Sequence, residues 1–455
     1  MQIISNADET ILKILNSLRQ NTTAANRLSH YCVQTPAEEG TLLFNTLTRE
    51  LVLLSAEEYA NLYNLEYLKE HWFLVPQDLN EKEFADLAKW FYANKLKKTK
   101  DITTYTIFPT TDCNARCFYC FELGRSRIPM TEETAHKVVE YITNHCGGQP
   151  VKISWFGGEP LYNAGVIDTI CDGLRVNGVE YNSSMVSNGY LFDAELVEKA
   201  VNKWNMKWIQ ITLDGTEEVY NRVKAFIYKD QNPYQVVLNN IERLLDASIT
   251  VHIRLNMDMH NADNLLELID ELTARFSGKK GLSVYAHHLF DGEIPMAQVH
   301  TDEEWLKRDA AMYRIEQKIA EGGFDRRRGI TKRIRLNHCM ADSGKAVTIL
   351  PDGNIGLCEQ FSETEFVGHI DRDDFDQNVV ASWKERIPEI PECAECFFYP
   401  ECIKIKKCSN ESECYSQFRR GKLRETQRRM VNQYTYWKNN VETEDVDDAE
   451  SADRL

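Results

Sequence analysis

From Thr103 onward, short apolar runs are separated by stretches whose apolar residues recur at helical spacing. The runs predict strands at Tyr105–Phe108, Lys152–Phe156, Ser183–Ser187, Trp208–Leu213, His252–Met257 and Leu282–His288. Helices fit between them at Thr131–Asn144, Asn163–Val176, Asp193–Asn202, Tyr234–Ala247 and Ala262–Phe276. Alternation of this kind builds a parallel sheet with right-handed crossovers. Six units are too few to close an eight-stranded barrel. The predicted fold is therefore α/β, a partial (βα)6 TIM-type barrel over residues 103–322, with function at the C-terminal ends of its strands. A helix over Asp302–Ala320 ends this region, and the basic, irregular run Asp325–Arg333 marks a boundary.

Residues 1–95 follow another pattern, that of a small α+β, winged-helix-like unit. Thr41–Asn45 and Glu50–Leu54 read as a hairpin, and Ser55 with Glu58 forms a capping box that opens a helix running toward Glu70. Phe73–Pro76 reads as a further strand, and Glu81–Ala93 as a second helix. The basic stretch Asn94–Lys100 reads as a linker. Residues 323–435 hold seven cysteines and little periodicity, as in a small domain organised by metal. Residues 436–455 read as an acidic tail. From Glu442 onward it carries seven acids and one Arg, too few apolar groups to offset the entropy of ordering. No internal repeat is present.

A formal net charge of −17 argues against nucleic acid as the main partner, because phosphate binding needs a basic footprint. No run approaches the ~20 apolar residues of a membrane span, and the N-terminus lacks the apolar stretch of a signal peptide. The protein is expected to be cytoplasmic, where stable disulfides are rare. Ten of the 13 cysteines fall in two clusters, Cys113–Cys120 and Cys339–Cys414, which points to metal. Cys32, Cys146 and Cys171 stand apart and read as small buried hydrophobes.

Directly after the first barrel strand stands Cys113-Asn114-Ala115-Arg116-Cys117-Phe118-Tyr119-Cys120. Three thiolates at this spacing wrap one cubane and leave its fourth iron open. A zinc knuckle is the alternative, but a closed zinc site takes four ligands, and no fourth His or Cys follows nearby. The segment closely resembles the signature of the radical S-adenosylmethionine superfamily. Three further motifs fall at strand ends where that family places them. Gly157-Gly158-Glu159-Pro160 corresponds to the motif that holds the methionine amino group. Ser187-Asn188-Gly189 would meet the ribose hydroxyls, and Leu213-Asp214-Gly215 is also typical. Arg254, on the fifth strand, is within reach of the cofactor carboxylate. The resemblance implies that Tyr119, Gly157, Gly158, Glu159, Ser187, Asn188, Asp214 and Arg254 bind the cofactor. It also implies that one electron, from a donor such as flavodoxin or ferredoxin, cleaves it to a 5′-deoxyadenosyl radical.

The second cluster reads Cys339-x13-Gly353-x4-Cys358, then Cys393-x2-Cys396-x5-Cys402-x5-Cys408-x5-Cys414. Gly353 sits in a plausible hairpin turn that brings Cys339 and Cys358 together. The pattern resembles the SPASM domain of radical enzymes that act on peptides, although the gap from Cys402 to Cys408 is x5 where the family has x3. By resemblance, Cys393, Cys396, Cys402 and Cys414 hold an outer cluster, and Cys339, Cys358 and Cys408 an inner one with a non-cysteine fourth ligand. Three [4Fe–4S] clusters are implied in all. Structural zinc in a ribbon-like fold is the alternative. Glu359 stands where sulfatase-maturing relatives place a catalytic base; a solvated loop glutamate is the plainer reading.

The N-terminal unit resembles leader-recognition domains, which bind a precursor peptide as an added strand. The alternative is a structural cap on the barrel. Together these features imply a maturase that abstracts hydrogen from a ribosomally made precursor and installs a cross-link, a thioether first, with carbon–carbon links, decarboxylation and epimerisation as the alternatives. A formylglycine-forming sulfatase maturase is disfavoured by the N-terminal unit and by the auxiliary cysteine count. A non-catalytic iron–sulfur scaffold is disfavoured by the intact Cys113, Cys117, Cys120 and Glu159.

Overall fold

A computed structural model describes residues 1–19, 24–96, 101–228, 231–289, 302–324, 329–334, 336, 339–359, 365–372, 374–408, 414 and 416–441. The N-terminal unit contains β1 (Gln2–Ser5), α1 (Glu9–Leu18), β2 (Asn26–Leu28), β3 (Cys32–Ala37), β4 (Gly40–Asn45) and β5 (Leu51–Leu54). It continues with α2 (Ala56–Ala60), α3 (Glu66–Glu70), β6 (Leu74–Pro76) and α4 (Glu81–Leu96). Its antiparallel sheet runs β1-β5-β4-β3, and β2 pairs with β6. The predicted hairpin is β4–β5. Buried Asn45 shapes its turn, accepting the Leu47 and Thr48 N–H groups and donating to the Trp72 carbonyl. The capping box is formed at Ser55 and Glu58, but the helix it opens breaks after Ala60 and restarts at Glu66.

The barrel strands are β7 (Thr104–Thr110), β8 (Val151–Gly157), β9 (Tyr181–Ser187), β10 (Met206–Leu213), β11 (Thr250–Met257) and β12 (Leu282–His288). All six lie parallel in sequence order. The crossover helices are α5 (Glu132–His145), α6 (Ala164–Val176), α7 (Ala194–Asn202), α8 (Glu217–Lys224), α9 (Pro233–Asp246) and α10 (Ala262–Phe276), followed by α11 (Asp302–Glu321). Thr131 and Asp193 cap α5 and α7 through their side-chain oxygens. One face of every strand packs on these helices: Ile153, Trp155, Met185, Ile209, Ile211, Ile253 and Leu255 are all buried in a single apolar core. Each such side chain contributes about 1.5–3 kcal/mol on leaving water. The partial six-stranded barrel is as predicted; only α8 was not.

The C-terminal region holds α12 (Met340–Ser343), β13 (Ala346–Ile349), β14 (Asn354–Gly356), β15 (Gly368–His369), α13 (Gln377–Lys384) and α14 (Ser416–Val441). Gly353, at φ +87, turns β13 into β14 as expected; an added Cβ would lie 2.9–3.0 Å from His369 and Ile370. The hairpin does not stand apart. β13 pairs in parallel with β7, extending the barrel sheet to nine strands.

α14 departs from the expected boundary, since it continues through residues 436–441, which had been assigned to the tail. Residues 442–455 lie outside the described residues, as do 325–328 of the basic run and 97–100 of the expected linker. α14 lies on the N-terminal sheet, where Met430 and Tyr434 share a core with Val33, Leu42, Phe44, Leu51 and Leu53. A second shared core joins Ile11, Leu15, Trp72 and Tyr92 to Ile334, Leu336 and Tyr399. The N-terminal unit is therefore built into the cysteine-rich region. No helix among the described residues is long and apolar enough to cross a membrane.

Candidate active site

The loop after β7 carries Cys113, Cys117 and Cys120, and it is tied down from three sides. The Ile227 N–H bonds the Asn114 carbonyl at 2.9 Å, and the Arg116 N–H bonds the Lys224 carbonyl at 2.8 Å. Asn188 donates to Asn114 Oδ1 at 2.7 Å and approaches Cys113 Sγ at 3.8 Å, while the Ala115 N–H points at the same sulfur at 3.4 Å. The loop thus hangs between β9 and the end of α8.

Gly157 and Gly158 bring the end of β8 against this loop. A Cβ on Gly158 would fall 2.2 Å from the Asp112 carbonyl oxygen, and one on Gly157, at φ +106, 2.4 Å from that of Thr110. Both contacts are with backbone, so neither can yield cheaply. Gly158→Ala should therefore lower the iron retained by the barrel loop, because the β8 end must back away from it, while destabilising the fold by about 1–3 kcal/mol. Iron assay beside a thermal melt checks this. Full iron with an unchanged melt would show that the contact yields freely.

Glu159 is fully buried. Its carboxylate accepts from the Ser187 hydroxyl at 2.9 Å, the Asn188 N–H at 2.8 Å and the Leu161 N–H at 3.3 Å. Burial outweighs these bonds and pushes its pKa up to about 7. Glu159, Ser187 and Asn188 thus knit the ends of β8 and β9 together.

Beside them lies a buried charge pair that the sequence did not announce. Lys224 Nζ stands 3.0 Å from Asp214 Oδ2, with side chains only 4% and 2% exposed. Tyr119 donates to Asp214 Oδ2 at 2.8 Å and accepts from Lys224 at 2.9 Å. Burial alone would lower the Lys224 pKa, but Asp214 above all, with Tyr119 and Cys117 beside it, outweighs burial and holds the ammonium charged. Lys224 lies in α8, the crossover helix that periodicity missed; a Lys in so charged a segment reads as surface. Its only signal was position, ten residues past Asp214.

These residues fit an iron–sulfur cluster. Burial pushes the Cys113 thiol up to about 12, and the neighbouring Glu159, Cys117 and Cys120 push the same way. Iron binding would relieve that penalty, because it bonds the thiolates directly. Asn114 Nδ2 and Asp214 Oδ1 are buried without a hydrogen-bond partner among the described residues. No group of His, Cys, Asp or Glu among the described residues is gathered closely enough for a single ion.

The remaining predicted residues lie further out. Arg254 stands three residues before the end of β11, level with Thr212 on β10. Glu359 lines a cavity of about 250 Å³ with Phe108, Thr111, Arg125 and Phe366, between the cysteine loop and the β13–β14 hairpin. The C-terminal cysteines fall into two sets. Cys396 lies within electrostatic reach of Cys393 and Cys414, and Cys402 of Cys396 and Cys414. Cys339 neighbours Cys408, and both pack with Cys358 against the barrel core. Cys146 and Cys171 are buried, as expected, whereas Cys32 is half-buried.

Residues 107–272 match the family model of the Radical SAM superfamily. A probable GTP 3′,8-cyclase of Archaeoglobus fulgidus is 25% identical over 302 residues, covering 63% of this chain and 96% of its own. The fold also resembles anSMEcpe solved with AdoMet and the Kp18Cys peptide, at a TM-score of 0.56 and 15% identity, over 74% of this chain and 99% of that one. Streptococcus suis SuiB bound to precursor peptide SuiA gives 0.50 at 12% identity, over 86% and 99%. The barrel that carries these motifs is a radical SAM domain.

Proposed function

We propose that the enzyme is a peptide maturase that cleaves AdoMet reductively, abstracts hydrogen from a precursor peptide and installs a cross-link, a thioether by preference. Cys113, Cys117 and Cys120 hold the reactive cluster. Tyr119, Gly157, Gly158, Glu159, Ser187, Asn188 and Asp214 surround the cofactor. When bound, cluster and AdoMet supply a carbon radical; the chain's own part is to orient and shield it. Glu159, buried among N–H and O–H donors, keeps the strand ends fixed, and the Lys224–Asp214 pair fixes Tyr119.

One observation carries the reading. Cys339, Cys358 and Cys408 pack against the barrel core as a set separate from Cys393, Cys396, Cys402 and Cys414. An inner cluster with one open iron beside the barrel would hold a substrate thiolate near the radical and take up the electron released as the carbon–sulfur bond forms, and the outer set would hold the third cluster. Glu359, which lines the cavity beside the cysteine loop, would accept the proton released. Both fold neighbours were solved with peptides bound, which supports a peptide substrate. The leader would add to an edge of the N-terminal sheet. α14 engages the β3 edge, where Gln427 bonds the Gln34 carbonyl at 3.0 Å, which leaves β1 as the other edge.

The test is anaerobic incubation with dithionite, AdoMet and a short cysteine-containing precursor encoded beside the gene. The expected product is a peptide lighter by two hydrogens, with one 5′-deoxyadenosine formed per link. Likeness to the GTP cyclase favours a nucleotide as the second reading. Consumption of GTP with no change in peptide mass would overturn the first reading and establish the second.

A further inference from the structure

The inner wall of the barrel is polar on one side. On β10, β11 and β12 the residues Ile209, Ile211, Leu213, Ile253, Leu255 and Val284 point outward into the apolar core. The alternate positions face the lumen. Strand register sets them in rows: Gln210, His252 and Ser283, then Thr212, Arg254 and Tyr285, then Asn256 and His287. Tyr285 donates to Gln210 Oε1 at 2.6 Å, and His252 Nδ1 meets Ser283 Oγ at 2.6 Å.

Arg254 stands in the middle of this wall. Its Nε donates to Asn256 Oδ1 at 2.9 Å, which fixes the plane of the guanidinium. It forms no ion pair with any described residue. His287 beside it is held below its ordinary pKa by burial and by the Arg254 charge, so it brings a neutral ring and no counter-charge. Two acids at the strand ends are already engaged, Asp214 by Lys224 and Glu159 by Ser187 and Asn188. A guanidinium with Nε anchored presents its other N–H groups as a fork that matches one carboxylate.

We propose that Arg254, steadied by Asn256, is a carboxylate-binding site on the lumen wall, and that its ligand is an acidic side chain or C-terminus of the peptide being modified. Held there, the carboxylate would set which neighbouring residue lies next to the radical. The inference rests on the peptide-maturase reading. The methionine carboxylate of AdoMet offers the same chemistry, but position favours the peptide. Arg254 is level with Thr212, two residues and roughly 7 Å down the sheet from Asp214. At the strand ends, beside Cys117, a cation is already present in Lys224.

The test uses the full chain, reconstituted anaerobically and saturated with AdoMet. Equilibrium dialysis compares labelled N-acetylglutamate methylamide with its neutral isostere, N-acetylglutamine methylamide. The glutamate probe should bind at least tenfold more tightly. Arg254→Gln should erase that preference while AdoMet affinity stays within threefold, and Arg254→Lys should keep part of it. A larger loss of AdoMet affinity in Arg254→Gln would assign the site to the cofactor and overturn the proposal. Equal binding of the two probes, or saturable binding of neither, would also overturn it. A glutamate preference alongside failure of every peptide to react would instead leave the carboxylate site standing and remove the maturase reading.

Discussion

Replacing Cys113, Cys117 and Cys120 together with alanine is expected to abolish 5′-deoxyadenosine formation, a loss of at least a thousandfold. It should also lower iron from about twelve to about eight atoms per chain, since each cubane carries four. The two effects are separable because the three thiols sit on a loop held by β9 and α8, whereas the other seven cysteines belong to the C-terminal region. Removing the loop thiols leaves the C-terminal sets intact, so the remaining iron should stay bound and the fold should melt nearly as before. Residual cofactor cleavage in the triple variant would place the active site elsewhere. A wild-type value near four iron atoms, with zinc making up the difference, would return the C-terminal cysteines to a structural role.

Much of this site was legible because its motifs coincide with strand ends. A strand such as β11 alternates Val251, Ile253, Leu255 and Met257 with His252, Arg254 and Asn256, and a period of two that sharp leaves little choice of structure. The break from strand to Asp-Gly or Asn-Gly then marks where function sits. Other features had no local signal. α8 spans eight residues, with Val219, Tyr220 and Val223 as its main apolar contribution, so periodicity had too little to register and Lys224 went unnoticed. α14 is long but dominated by charge, and a few residues such as Met430 and Tyr434 seat it on the N-terminal sheet. β1 and β3 were missed because their pairing partners, not their composition, make them strands. The largest gap was between domains. Contacts between residues 1–95 and residues 330–437 depend on positions hundreds of residues apart, which no window of sequence reports.

Those contacts predict a second large effect, at Arg49. Its backbone takes φ 66, a left-handed conformation reached at the end of the turn shaped by Asn45. From there the side chain, 3% exposed, pairs with Glu401 at 3.0 Å and bonds the Thr331 carbonyl and hydroxyl at 3.0 and 2.9 Å. One residue therefore joins the N-terminal sheet to the boundary segment and to the residue preceding Cys402. Arg49→Met would remove the Glu401 pair and both bonds to Thr331, at a cost of about 1–3 kcal/mol. The expected result is a lower melting temperature together with loss of iron from the outer set. Glu401 adjoins Cys402, and the same segment is held from the N-terminal side by the Tyr399 hydroxyl on Asp86 and the Thr46 hydroxyl on the Phe397 carbonyl. Cleavage of AdoMet should fall less than iron does, because the barrel loop makes none of these contacts. The double variant Arg49→Met with Glu401→Leu removes both charges and should recover part of the lost stability. If Arg49→Met melts like the wild type and keeps its full iron, the N-terminal unit is only resting on the cysteine-rich region. It would then be a separable module whose deletion spares the outer cysteines.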